Sequence, residues 1–198
     1  MKKDKIDLMK EIRDEIWNLK ESSLYKERME NKVFPVIGEG SHDAKILFIG
    51  EAPGKNEAKT GKPFCGASGK VLEELLSHIG VDRSTVYVTN IVKDRPSNNR
   101  DPKPDEIEIY APFLDRQIEI IKPEIIVTLG RFSMDYVMKR YGLESNLDLI
   151  SNIHGKSFET ETDFGKFKVV PLYHPAVAVY NRNQLDVLKK DFEILKTS

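Results

Sequence analysis

The sequence predicts an α/β fold: a three-layer α/β/α sandwich with a central four-stranded parallel sheet. Short apolar runs rich in β-branched residues alternate along the chain with segments of helical periodicity. These runs are apolar almost throughout, which is typical of parallel strands buried on both faces. The 198 residues contain no repeat, linker or low-complexity segment, so we expect one domain over residues 1–198.

Five helices are expected from the spacing of apolar residues and from their end signals. Apolar side chains recur at helical intervals over residues 4–20. The other four helices are predicted at residues 66–80, 104–122, 131–142 and 182–196. Glycines end the second and fourth helices, and a proline followed by two acidic residues opens the third, as suits the positive end of a helix dipole.

Four strands are predicted at residues 44–50, 85–92, 124–130 and 166–175. Each one runs into a distinctive loop, and the loops read GEAPG, TNIVKDRP, TLGR and YHPAVAVYN. Ligands of open parallel sheets bind beyond the carboxyl ends of the strands. We therefore expect a single site built from these four loops.

Composition excludes several classes of protein. A hydrophobic content of 39% argues against disorder, and no apolar run is long enough to cross a bilayer. The first twenty residues lack the apolar centre of a signal peptide, so we expect a cytoplasmic protein without a membrane partner. One cysteine rules out an intramolecular disulfide and a cysteine-rich metal site. The net charge of −1 argues against a protein that coats nucleic acid, although it permits a local basic groove. We expect a monomer.

Three of the motifs together carry a family resemblance. The segments GEAPGKNEAKTGKPFCG, TNIVKDRPSNNRDPKPDE and HPAVAVYN, in this order, resemble the uracil-DNA glycosylase superfamily, and its bacterial and archaeal family 4 most of all. The resemblance covers about residues 19–181. It implies a DNA repair enzyme of base excision repair that flips uracil out of DNA. Hydrolysis of the N-glycosidic bond would leave an abasic site, and because no lysine is placed for a Schiff base we expect a monofunctional enzyme.

The chain departs from family 4 at one feature. Members of that family resemble one another in four cysteines that hold an iron–sulfur cluster, and this sequence has Leu19, Ser22, Asp94 and Tyr110 at those positions. None of these side chains replaces a thiolate in a conventional cluster. We therefore expect no cluster, no other metal and no organic cofactor. The acidic residue that follows Glu57 in the family is also missing, because Ala58 stands there.

The resemblance assigns three residues to base recognition. Phe64, alone among small and polar residues, would stack on the extruded base; a core phenylalanine beneath the loop is the alternative. The Asn90 carboxamide would accept from uracil N3–H and donate to O4, a pattern that cytosine reverses; a turn-capping asparagine is the alternative. Glu57 would crowd C5 and exclude the methyl group of thymine, unless it is an ordinary solvated glutamate.

Two further residues are expected to support bond cleavage. Ala52 occupies the substrate-site position at which other superfamily members carry an aspartate, and it cannot orient water. Glu51 would take over part of that role and stabilise the oxocarbenium-like sugar, unless it is a loop or helix-terminus partner. His174 would donate a hydrogen bond to uracil O2 as negative charge grows on the leaving base.

DNA contacts are expected from two places. Val177 or Val179, in an expected loop over residues 176–180, would wedge into the duplex. Lys93, Arg95 and Arg100 would grip phosphates, although a solvated charged face is the usual meaning of such a run.

Three alternatives remain open at this point. The enzyme could remove another deaminated base, such as hypoxanthine or xanthine, because Ala58 and the missing cysteines permit a change of preference. A non-catalytic protein that binds uracil-containing DNA would keep Phe64 and Asn90 but would not need Glu51 or His174. A nucleotide-binding α/β protein is disfavoured, because neither glycine-rich segment has the dinucleotide or P-loop spacing.

Overall fold

A computed structural model describes residues 4–196; the ends of the predicted domain, 1–3 and 197–198, lie outside the described residues. The described chain folds around one six-stranded sheet. The strands are β1 (Glu39–Gly40), β2 (Ile46–Gly50), β3 (Tyr87–Asn90), β4 (Ile125–Leu129), β5 (Phe158–Thr162) and β6 (Gly165–Leu172).

The strand order is β1-β3-β2-β4-β6-β5, with four parallel central strands. The chain leaves β2 for β3 on one side and then returns to place β4 on the other side, so the direction of winding reverses next to β2. Such a reversal opens a crevice beyond the carboxyl ends of the strands, where ligands bind in this class of sheet. Register places Gly50 opposite Asn90 at that end.

Nine α-helices occur in the described chain. They are α1 (Lys5–Trp17), α2 (Ser23–Asn31), α3 (Lys55–Thr60), α4 (Ala67–His78), α5 (Pro104–Ile121), α6 (Arg131–Arg140), α7 (Ile150–Ile153), α8 (Ala176–Tyr180) and α9 (Leu185–Phe192). Side-chain caps define the first residues of α1 and α2. The Asp4 carboxylate accepts a hydrogen bond from the backbone N–H of Asp7, and the Ser22 hydroxyl accepts one from the backbone N–H of Leu24. None of the helices in residues 4–196 is both long and apolar enough to cross a bilayer.

Two apolar layers cover the sheet. Along β2, Leu47 and Ile49 face the layer that contains α1, α5 and α6, whereas Ile46 and Phe48 face the layer of α4 and α9. This alternation explains why β2 reads as an uninterrupted apolar run: each of its faces is buried against helices.

The α/β fold class and the four central strands are confirmed, and several details differ from the prediction. Antiparallel edge strands β1 and β5 extend the sheet from four strands to six. The glycine-rich segment after Gly54 contains the short helix α3, and residues 176–180 form helix α8 rather than a loop. The fourth predicted strand ends at Leu172, because the chain turns there to carry His174 over the sheet end.

Candidate active site

A cavity of about 290 Å³ lies at the carboxyl ends of β2 and β3 and beside the segment that follows β6. This volume is at the lower end for ligand sites and suits one small ring system. All six residues predicted for recognition and cleavage line it: Glu51, Ala52, Glu57, Phe64, Asn90 and His174. Residues that the motifs did not single out complete the wall, among them Pro53, Ser68, Pro96 and Ala176.

Phe64 forms one wall of the cavity and is held in an unusual backbone conformation. Its φ of 47° lies in the left-handed region, which is uncommon for an aromatic residue. Two glycines make room for it. A Cβ at Gly50 would lie 2.8 Å from Phe64 Cζ, and a Cβ at Gly69, in the first turn of α4, would collide with the Phe64 carbonyl oxygen. The ring stacks on His174 with centroids 5.6 Å apart, so one of its faces is already occupied by the imidazole.

Glu57 fixes the loop that carries Phe64. Its Oε1 accepts from the backbone N–H groups of Cys65 and Gly66, at 3.1 and 3.0 Å. Gly66 is the N-cap of α4 and offers no side chain to cap its own helix, so the carboxylate from α3 satisfies donors at the start of α4. Glu57 is thereby held in one orientation at the cavity wall.

Asn90 ends β3 and is almost fully buried, with 2% of its surface exposed. Its backbone is fixed by neighbours: the N–H of Ile91 donates to Gly50, and that of Val92 donates to Glu51. Its Oδ1 lies against Gly50, where a Cβ would collide with it. Within residues 4–196 the amide has no hydrogen-bond partner, although it lines the cavity. Its donor and its acceptor are therefore both available to a ligand.

The carboxyl group of Glu51 has a raised pKa. Partial burial, followed by the negative charge of Asp101, raises the pKa of Glu51 from 4.5 to about 7, and the positive charge of Arg131 opposes the change. Asp101 and Arg131 form an ion pair with 2.8 Å between Oδ2 and Nη2. Near neutral pH the Glu51 carboxyl is therefore poised between its two protonation states, as suits a group that exchanges protons.

The hydrogen bonding of His174 defines its tautomer. The backbone N–H of Ala176 donates to His174 Nδ1 at 3.1 Å, so Nδ1 carries a lone pair and the proton of the neutral ring is on Nε2. Burial lowers the pKa of His174 from 6.5 to about 4, and the nearby Glu57 charge opposes this only in part. The ring is therefore a neutral donor at physiological pH.

The predicted DNA-contacting residues differ in their surroundings. Val179 is 43% exposed on α8, whereas Val177 packs partly against the core. Arg95 donates to the side chain of Asn99, and Arg100 forms a two-pronged ion pair with the buried Glu106 at 2.6 and 2.8 Å. Arg100 still lines the cavity.

The prediction for Lys93 is wrong. Its side chain is fully buried, so it cannot reach a phosphate from this position. Sequence alone suggested a surface charge because lysine is rarely buried without an acidic partner. Of the three groups that its Nζ contacts, Thr89 and Asn90 are near in the chain, whereas Gln117 lies on α5.

A second buried polar cluster contains residues that the resemblance aligns with the expected cluster cysteines. Asp94 forms an ion pair with Arg28 at 2.9 Å and accepts from the Tyr110 hydroxyl at 2.6 Å. The Tyr110 oxygen also lies 3.0 Å from Ser22 Oγ, and Arg28 donates to two backbone carbonyls at the end of α1. The polar side chains of this cluster satisfy one another's hydrogen bonds, and the apolar side chain of Leu19 packs beside them. The set does not fit an iron–sulfur cluster, which needs thiolate ligands.

Two further observations concern the cysteine and the metal-ligating side chains of the described chain. Cys65 is exposed in the Phe64 loop, away from the four positions. Across residues 4–196 no group of three histidine, cysteine, aspartate or glutamate side chains converges as a metal site.

Asp101, Arg131 and Gln117 are neighbours of the predicted site residues that the motifs did not single out. The first two set the electrostatics of Glu51, and Gln117, on α5, contacts Lys93. Arg131 follows β4 after Gly130 in the segment TLGR, so its place near a strand end was a usable signal. Gln117 gave none, because it lies inside an amphipathic helix pattern.

Comparison with known proteins gives a consistent result. The model of the family described as "Uracil DNA glycosylase superfamily" matches residues 37–196. A type-4 uracil-DNA glycosylase of Saccharolobus solfataricus is 46% identical over 98% of this chain and 86% of its own length. The protein of the same description from Sulfurisphaera tokodaii is 44% identical over 96% and 84%. A third, from Archaeoglobus fulgidus, is 40% identical over 95% and 92%.

Proposed function

The chain belongs to the uracil-DNA glycosylase superfamily, and we propose that it is a monofunctional uracil-DNA glycosylase that hydrolyses the N-glycosidic bond of deoxyuridine in DNA. One observation carries the proposal. A cavity sized for a single base holds an unpaired buried amide, Asn90, together with the aromatic ring of Phe64 and the Nε2–H donor of His174. The target nucleotide must leave the base stack to reach it.

Base selection rests on Asn90 and Glu57. The amide oxygen accepts from uracil N3–H and the amide NH2 donates to O4, whereas cytosine would oppose donor to donor and acceptor to acceptor. A buried polar site that is left unpaired rejects the wrong ligand strongly. Glu57, fixed by the N–H groups of Cys65 and Gly66, blocks the space that the methyl group of thymine needs.

Phe64 and Ala52 shape the space around the base. The Phe64 side chain is buried apart from the part that lines the cavity, and that part offers a stacking surface. Stacking of this kind contributes roughly 1–3 kcal/mol per base. Ala52 keeps the wall beside Glu51 small and apolar, which leaves water orientation to the carboxylate.

Glu51 and His174 each have one role in cleavage of the glycosidic bond. As the C1′–N1 bond breaks, its electron pair moves onto the uracil ring, and His174 Nε2–H stabilises the charge at O2. Ionised Glu51 stabilises the cationic sugar and orients a water whose oxygen bonds to C1′. The water proton passes to the carboxylate, whose pKa of about 7 suits that exchange.

DNA binding is proposed for the surface around the cavity. Arg95 and Arg100 would meet phosphates on one side, and Arg100 would do so while remaining paired with Glu106. Val179 is the better candidate of the two valines for the wedge because it is the exposed one. The adjacent Tyr180 is 90% exposed on the same short helix and would share that contact.

Several finer points belong to the same proposal. The chain works without an iron–sulfur cluster, because the Arg28–Asp94–Tyr110 network fills that corner of the fold. That it works as one domain, as a monomer and in the cytoplasm is part of the same proposal. A lyase step is not expected, because Lys93 is enclosed beneath the site and is not free to form a Schiff base with the sugar.

The test is base release from matched oligonucleotides that carry a single uracil, thymine, cytosine or hypoxanthine, with Asn90→Ala as the comparison. We expect release of uracil only, and a fall of at least about 100-fold in the variant. Release of hypoxanthine instead would change the proposed substrate base and leave the proposed mechanism unchanged. Tight retention of the uracil strand with no release would refute the enzyme and favour a binding protein.

A further inference from the structure

Lys93 lies directly beneath the base-selecting residue and is not used by the mechanism above. Its side chain is fully buried, and its Nζ contacts three acceptors: Thr89 Oγ1 at 2.7 Å, the Asn90 carbonyl oxygen at 2.7 Å and Gln117 Oε1 at 2.6 Å. In the part of the chain that the structure describes, no carboxylate forms an ion pair with it. A lysine is seldom enclosed in this way without an acidic partner.

The roles of these partners are fixed by what they contact in turn. The Thr89 hydroxyl donates to the Ile37 carbonyl at 2.7 Å, so its oxygen is free to accept from Lys93. Gln117 Nε2 donates to the same carbonyl at 3.0 Å and to the Tyr87 hydroxyl at 3.2 Å, so its Oε1 must face Lys93. A flipped amide would set two oxygens against each other.

Three accepting groups call for three donors, which an ammonium has and a neutral amine lacks. Burial lowers the pKa of Lys93 well below its ordinary value. The three short hydrogen bonds act in the opposite direction, because each one favours the protonated form. A neutral amine would turn its lone pair toward one of the three oxygens, so the geometry fits the charged state.

We propose that Lys93 is a positioning residue for base selection: it clamps the Asn90 carbonyl to Thr89 and Gln117 and so fixes the direction of the Asn90 amide. This inference rests on the proposed glycosylase function. Asn90 makes no side-chain hydrogen bond of its own within residues 4–196, so its orientation depends on its backbone. Gly50 limits the amide from one side, and Lys93 holds the peptide from the other.

Removing the Lys93 ammonium should weaken the discrimination between uracil and cytosine, in addition to any loss of stability. A misplacement of about 1 Å in such a site costs on the order of 100-fold in rate. Lys93→Met keeps most of the volume and the apolar stem but removes all three donors. Gln117→Leu is a second variant, on α5: it removes one acceptor of Lys93 and the Nε2 donor to Ile37 and Tyr87, but it replaces no residue of β3.

The experiment compares uracil and cytosine release by the wild-type chain, Lys93→Met and Gln117→Leu, at a temperature at which all are folded by circular dichroism. Leu188→Ala is the matched control, since Leu188 is a fully buried residue of α9 that does not line the cavity. We expect a fall of roughly 10- to 100-fold in kcat/KM for uracil in Lys93→Met. The ratio of uracil to cytosine release should fall with it. Gln117→Leu should show a smaller change of the same kind, and Leu188→Ala should keep the wild-type ratio.

Crystal structures of the wild type and Lys93→Met provide a second readout that does not depend on activity. A displaced Asn90 amide supports the positioning role even if the wild type releases no uracil, in which case only the proposed function fails. An unmoved amide overturns the inference. So does an unchanged uracil-to-cytosine ratio in an active Lys93→Met variant, and the glycosylase assignment would then stand without it.

Discussion

Replacing Glu51 by glutamine should make the protein more stable above neutral pH and much less active. The folded chain holds the Glu51 proton to a pKa of about 7, whereas the ordinary value is 4.5. A group whose pKa is raised on folding contributes stability that is fully present below about pH 4.5 and is lost as pH rises through about 7. The ionised carboxylate that cleavage needs is therefore a cost to the fold.

The size of that cost follows from the two pKa values. Their difference corresponds to at most about 3 kcal/mol in the free energy of unfolding. Because Glu51 is only half-buried, solvent screening reduces the expected gain for Glu51→Gln to about 1–2 kcal/mol. For a chain of this length that is roughly 2–8 °C in Tm.

The assay combines thermal melts at about pH 8.5 and about pH 4.5 with single-turnover uracil release. Glu51→Gln should melt higher than the wild type at the upper pH and close to it at the lower one. Its uracil release should fall by roughly 10²–10⁴-fold. Glu108→Gln, an exposed acid on α5, is the control and should change neither property. A gain in Tm of equal size at both pH values would refute the burial argument, and full activity in Glu51→Gln would refute the catalytic role.

Four further outcomes are expected. Gly50→Ala should lower uracil release by at least about 100-fold with little change in circular dichroism, because its Cβ displaces both Phe64 and Asn90; wild-type kinetics would contradict the packing described. His174→Ala should cost about 10²–10³-fold in rate. The wild-type rate should rise with pH around 7, where Glu51 ionises, and show no separate step near pH 6.5, because burial keeps the His174 pKa at about 4; a step there that disappears in His174→Ala would contradict this. Arg28→Met should lower the free energy of unfolding by about 3–5 kcal/mol in urea titrations, because it leaves the Asp94 carboxylate buried and unpaired; a change below about 1 kcal/mol would show that the network is not structural.

The central strands could be predicted from sequence because their signal is local. An apolar run such as residues 44–50 is buried on both faces, and Gly50 ends it. The edge strand β5 was missed although FETET alternates in the way a half-exposed strand does. Helix α3 was missed because glycines flank it on both sides and six residues carry too little periodicity.

The site could be predicted as a set of residues but not as a set of interactions. Asn90 and His174 lie near the ends of predicted strands and Phe64 lies in the loop after another, and topology brings strand ends together. The burial of Lys93 depends on Gln117, which lies 24 positions further along the chain on another element. The raised pKa of Glu51 depends first on burial and then on the charge of Asp101, in the loop before α5, while Arg131, at the start of α6, opposes it. Contacts of this kind arise from the tertiary fold, and no local pattern encodes them.

Gly69 restricts how this protein can be made more stable to heat. A glycine inside a helix is an obvious target, since exchange for alanine ordinarily gains up to about 1 kcal/mol through helix propensity. In α4 the missing side chain is the space into which the Phe64 carbonyl fits. Gly69→Ala would displace Phe64 from the cavity wall, so a substitution that ordinarily stabilises a helix would here inactivate the protein.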